Sequence, residues 1–149
     1  MPEFREAEEA DLAAIMALLA DDDLGRGREA HVPDAYRRAF RAMARQEGNR
    51  MVVAVADGEV VGCMQVTVIH GLSRQGASRA QVEAVRVRRD RRRQGIGQAM
   101  LAHAVAMARA AGCRLVQLTT DRRREDAHRF YERLGFVASH HGMKLELPP

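Results

Sequence analysis

The residues best able to do chemistry lie together as Arg92, Arg93, Gln94, Gly95, Ile96, Gly97 and Gln98, inside the run VRRDRRRQGIGQAM. A Gly-x-Gly placed before an apolar stretch is the layout of a strand, a loop and a helix N-terminus. The first turn of a helix carries N–H groups with no intrahelical partner and a partial positive charge. Glycine there lets a ligand approach the backbone closely. Phosphate or pyrophosphate is the expected guest. The arginines ahead of the glycines admit two other readings, a basic arm for nucleic acid and the solvated entrance to a helix. Two familiar phosphate motifs are excluded. A P-loop requires Gly-Lys-Ser/Thr, and here Gln98 and Ala99 follow Gly97. A dinucleotide fingerprint requires a third glycine where Met100 stands, and a strand that runs straight into the first.

Other reactive residues are scattered. Cys63 and Cys113 stand singly in apolar contexts, with neither metal spacing nor a disulfide framework. The histidines show no His-x-x-x-His, so no metal is expected. His140-His141 is read as exposed. No run has the length of a membrane span, and the acidic opening MPEFREAEEADL lacks a signal-peptide core. The expectation is a cytoplasmic protein with reduced, buried thiols. At 149 residues, 46% hydrophobic and 30% charged, the chain fits a single domain over 1–149. The net charge of +4 is almost all arginine, since Lys144 is the only lysine. Across the chain as a whole that bias reads as a property of the coding genome.

The elements that must position this stretch follow from periodicity. EFREAE is a short edge strand. EEADLAAIMALLA is a helix with Leu12, Ile15, Leu18 and Leu19 on one face. DDDLGRGREAHVP breaks it, and Pro33 opens a second helix whose Tyr36, Phe40 and Met43 share a face. RMVVAVA and VVGCMQVTVI form a hairpin through Asp57-Gly58. RAQVEAVRV alternates, with Gln81, Glu83, Val85 and Val87 on one face and Val82, Ala84 and Arg86 on the other. A helix over 96–111 follows, with Met100, Ala104 and Ala108 on one side. Then come the strand CRLVQLTT, the helix EDAHRFYERL, and two short strands, FVASH and MKLEL. The order is that of a mixed α/β sandwich.

RRQGIG, as Arg92-x-x-Gly95-x-Gly97, resembles the Gln/Arg-x-x-Gly-x-Gly/Ala signature of the GNAT family of acyl-CoA-dependent N-acetyltransferases. VEAVRV resembles that family's strand before the loop, and AHRFYERLGF its C-terminal helix and following strand. The resemblance is sharp over 82–136. It implies a mostly antiparallel mixed sheet of about 6–7 strands with helices on both faces, and splayed middle strands forming an acetyl-CoA cleft. It implies that backbone N–H groups from Arg93 through Gln94, Gly95, Ile96 and Gly97 to Gln98 hold the pyrophosphate, with Arg92 shaping the loop. The backbone near Val85 and Val87 would pair with the pantetheine arm as an added strand does. The Val85 N–H would serve the oxyanion.

An alkylammonium of pKa ~10.4 must lose a proton before it attacks a thioester. Glutamate at the place of Glu83 is a base in many family members, often through water. Tyr131 matches the family's tyrosine facing the coenzyme A sulfur, where a phenol of pKa ~10 can protonate a thiolate. Their bland alternatives are a solvated carboxylate and a helix-packing residue, Tyr131 lying on a face with Ala127, Phe130 and Leu134. The family often has Asn where Arg124 stands here, so that Asp121 or Arg124 substitutes or the contact is missing. With the cysteines read as inert, transfer is expected to be direct, in a ternary complex.

The resemblance implies a small-molecule or peptide amine as acceptor, and the expectation is a monomer or homodimer with no nucleic acid or membrane partner. The stretch DDDLGRGREAHVPDAY, the loop HGLSRQGAS and the turn SHHG are its candidate lining. Asp21, Asp22 and Asp23 could attract a cationic amine, or simply end a helix in solvent. Two other functions stay open at this point, a nucleic-acid module using RRDRRR and DRRRED and a coenzyme A sensor without turnover. Aromatic content of only 4% gives few stacking platforms and weighs against the first.

Overall fold

Alternating β-branched residues separated by Asp57-Gly58 fold into the central hairpin, strands β2 (Asn49–Ala56) and β3 (Glu59–Ile69). Both turn residues are left-handed, with φ of 53° and 75°, the geometry that matches the twist of the flanking strands. The computed structural model describes residues 1–20 and 32–149, in two compact units, Met1–Gln117 and Leu118–Pro149.

The first unit holds one sheet in the order β1-β2-β3-β4-β5, adding β1 (Glu3–Glu6), β4 (Arg79–Val87) and β5 (Leu115–Gln117). All neighbours are antiparallel except β4 and β5, which are parallel. Helices α1 (Leu12–Leu19) and α2 (Asp34–Arg45) cover one face. There Ile15 and Leu18 bury against Met51, Val53 and Cys63, with Leu19, Phe40 and Met43 packed around them. Tyr36 departs from its expected place: it is 45% exposed, so the helix rests on Phe40 and Met43 alone of that set. A turn, Ser73–Gly76, forms the short α3 within HGLSRQGAS. Helix α4 (Ile96–Ala110) buries Met100, Leu101, Ala104 and Ala108 and packs on β3 and β4. Phe4 of β1 stacks on His103 of α4 with ring centroids 5.0 Å apart, which fixes α4 to the face opposite α1.

The second unit carries α5 (Glu125–Arg133). The strands expected at 136–140 and 143–147 are not formed, and among the described residues the expected 6–7 strands become five. MKLEL has the right alternation, yet Met143, Leu145 and Leu147 are 92%, 87% and 83% exposed. Alternation supplies a face, but a strand also needs a neighbour whose backbone it can pair with. The strand CRLVQLTT is likewise reduced to Leu115–Gln117.

Candidate active site

Strand β4 does not keep the register it starts with. Gln65 of β3 opposes Glu83, but Cys63, two residues on, opposes Arg86, three residues on. Ala84 and Val85 thus face a single β3 residue, Met64, and Ala84 takes a left-handed φ of 53°. This is a β-bulge, which bends the strand and redirects its side chains. The strict alternation expected from sequence therefore fails beyond Glu83. Arg86 moves to the face of Glu83, opposite Cys63, and Val87 moves to the α4 face, opposite Gly62. A left-handed alanine costs ~1–2 kcal/mol, so the surrounding sheet must hold it.

Parallel pairing of β4 with β5 covers only Arg79 to Gln81, against Leu115 to Gln117. From Val82 onward β4 has no β5 partner. Glu83 lies just past this fork, exposed, on the face of α1 and α2. Around it the register assembles a polar floor. Thr67, Gln81 and Gln117 are successive cross-strand partners, and Asn49 opposes Thr67. The Gln117 amide donates to Gln81 Oε1 at 2.9 Å, and the Gln81 amide donates to Glu83 Oε1 at 3.2 Å. Gln65 and Thr67 both donate to Asn49 Oδ1.

Beyond β4 the chain makes a short 3-10 turn, Arg89–Arg91, and enters α4 through Gly95, whose φ of 83° is left-handed. Arg93, at 62°, is left-handed too. Arg92 Nε donates to the Val87 carbonyl at 3.0 Å, closing the loop on the strand it leaves. The first α4 amide with a backbone acceptor is that of Ala99, on Gly95 O at 3.0 Å. Among the described residues, the amides from Arg93 to Gln98 have none. That run of unsatisfied donors at a helix N-terminus suits an anion.

The arginines of the loop are braced from the β2–β3 turn. Arg88 pairs with Glu59 at 3.0 Å and with Asp90 at 2.7 Å, and Arg91 with Asp57 at 3.1 Å. Arg88 holds the Asp90 carboxyl below its usual range. A groove of about 560 Å³ opens beside this brace, between Ala14, Ala17 and Leu18 of α1 and Val60, Arg88, Arg89 and Asp90. Beneath the bulge, Cys63 is fully buried and its thiol donates to the Ala84 carbonyl at 3.6 Å. Burial pushes that thiol up to about 12, against a smaller opposing pull from Arg86.

Within the second unit, Tyr131 is half-buried on α5, edge-on to Phe130 and Phe136 at 5.2 and 5.8 Å. The Asp121 carboxylate accepts from the Arg123 amide and guanidinium, which hold it well below the usual carboxylate range. Arg124 is the residue before α5, and its amide donates to Asp121 O at 3.0 Å. Asp21, Asp22 and Asp23 lie outside the described residues. Among the described residues no group of His, Cys, Asp and Glu is placed to hold a metal ion, and no helix is long and apolar enough to cross a membrane.

The bulge at Ala84, the Gln81–Gln117 pair and the braces from Asp57 and Glu59 were not foreseen as parts of the site. Alanine gives no sign of a left-handed φ. The braces follow from the hairpin turn, whose acids are visible in sequence but whose reach is not.

A sequence model of the acetyltransferase (GNAT) family matches residues 12–136. The aminoalkylphosphonate N-acetyltransferase of Salmonella typhimurium is 35% identical over 109 residues, 71% of this chain and 68% of that protein. The aminoglycoside N(6')-acetyltransferase type 1 of Stenotrophomonas maltophilia is 30% identical over 151 residues, 99% of this chain and 94% of that protein. A solved structure described as a transcriptional regulator from Bacillus halodurans C-125 superposes with a TM-score of 0.92 at 45% identity, covering 99% of this chain and 100% of that one. The chain belongs to the GNAT family of acetyltransferases. Its activity within that family is N-acetyl transfer.

Proposed function

We propose that the protein moves the acetyl group of acetyl-CoA directly to a small primary amine, as one cytoplasmic acetyltransferase domain over 1–149 that works as a monomer or homodimer. The observation that carries this reading is the run of unsatisfied amides from Arg93 to Gln98 beside the open edge of β4. Those donors fit a pyrophosphate, and the β4 backbone at Val85 and Val87, past the last β5 pairing, fits the pantetheine arm. When bound, acetyl-CoA supplies an activated thioester.

The chain's own groups divide the remaining work. Glu83 takes the proton of the acceptor ammonium, directly or through water. The Val85 N–H, inside the bulge, faces the developing oxyanion. Tyr131, assigned by its family motif, returns a proton to the thiolate. Cys63 supports direct transfer over a covalent acetyl-enzyme, because a buried thiol near 12 is a poor nucleophile. No metal is required by these roles. The related enzymes named for aminoalkylphosphonates and aminoglycosides favour a small-molecule acceptor over a peptide.

The test is release of free coenzyme A from acetyl-CoA across a library of small amines, with the acetylated amine identified by mass spectrometry. Turnover with one chemical family of amines is expected. Binding of acetyl-CoA with no turnover on any amine would replace this reading with that of a sensor.

A further inference from the structure

The carboxylate assigned as base does not stand alone. From the register and the hydrogen bonds we infer that Gln81 and Gln117 are positioning residues for Glu83, a proposal that rests on Glu83 being the base. Gln117 is the last residue of β5 and the last to pair with β4, so it sits at the fork itself. Its amide donates to Gln81 Oε1 at 2.9 Å. With its oxygen so engaged, the Gln81 side chain must turn its NH2 group outward, and that group donates to Glu83 Oε1 at 3.2 Å. The order of donors is thus fixed from β5 to the carboxylate.

The chemistry of the relay suits a base. A glutamine donor orients a carboxylate through one oxygen and leaves its negative charge in place. A lysine or arginine at the same distance would form an ion pair and favour the charged form at the expense of basicity. Among the described residues Glu83 makes no ion pair within 4.0 Å, so its second oxygen remains available to a substrate proton. Both glutamines are half-buried and Glu83 is exposed, so the relay runs from the sheet outward. Thr67, opposite Gln81, is tied instead to Asn49, which keeps the neighbouring floor from competing for Gln81.

The experiment is a double-mutant cycle on the full chain. Gln117→Leu, Gln81→Leu and Glu83→Gln are made singly, and each glutamine variant is combined with Glu83→Gln. Steady-state kcat and KM are measured alongside the thermal midpoint and acetyl-CoA affinity. Each glutamine variant is expected to lower kcat about tenfold, with acetyl-CoA affinity unchanged, and to have no further effect once Glu83 is Gln. Gln117→Leu carries the test if Gln81→Leu does not fold, since it touches Glu83 only through Gln81. A normal kcat in Gln117→Leu beside an impaired Glu83→Gln overturns the relay and leaves the base in place. An equal loss in both backgrounds also overturns it, because the glutamine then acts elsewhere. A normal rate in Glu83→Gln removes the base, and the relay with it.

Discussion

At the scale of single residues, the site depends on groups whose surroundings set their chemistry. Glu83 is exposed beside a bulge, and Cys63, in the strand alongside, is sealed beneath it. Their positions in the register leave the carboxylate open to solvent and close the thiol off from it. Replacing Glu83 with Gln should lower kcat by about 10²-fold, most severely at low pH where the amine needs a base most. Acetyl-CoA affinity, read by calorimetry, should be unchanged. Tyr131→Phe keeps the aromatic contacts with Phe130 and Phe136 and removes only the hydroxyl. It should lower kcat about tenfold or more while KM for acetyl-CoA moves little. The reverse pattern in steady-state kinetics would assign Tyr131 to packing.

At the scale of elements, the loop from β4 into α4 was legible and the strand feeding it was only partly so. Gly95 and Gly97 announce a helix entrance because glycine is a local signal, and Gly95 does take the left-handed conformation only glycine adopts cheaply. The bulge at Ala84 and Val85 has no such sign. It arises from pairing with β3, a long-range property, and it exchanged the faces of Arg86 and Val87. For the same reason FVASH and MKLEL read as strands by alternation alone, although they have no ladder. Gly95→Ala should cost ~1–2 kcal/mol through its φ, not through crowding, since an added Cβ would meet only Met1 Cε at 3.9 Å. Urea unfolding should show that loss, and acetyl-CoA affinity should fall with it. Gly112→Ala, equally left-handed at φ 79° but at the far end of α4, should lose stability and keep the affinity.

At the scale of the whole molecule, hydrophobic periodicity was enough to recover α1, α2, α4 and the central hairpin, because their buried faces are local patterns. Ion pairs that tie one element to the next were not visible, even across six residues. Arg5 of β1 grips Asp11 with bonds of 2.7 and 3.0 Å, and Asp11 also accepts from the Glu8 amide at 2.8 Å. The Arg5 hydrogen bond, chiefly, holds the Asp11 carboxyl below its usual value, against the opposing effect of burial. A carboxyl lowered in the folded state stabilises above its unfolded pKa of ~3.9 and ceases to do so as pH falls through the folded value. Asp11→Asn should therefore lower the Tm by a few degrees at pH 7, and the gap from the parent should close in acid, as followed by circular dichroism.

The braces on Arg88 and Arg91 have a reach beyond the loop. Duplex DNA is held largely by counterion release, one contact for each phosphate a cation neutralises. Arginines already answered by Asp57, Glu59 and Asp90 have little left for such a polymer. Asp57 and Glu59 at the hairpin, with Asp90 in the loop itself, thus weaken the pull of these two arginines on a long polyanion.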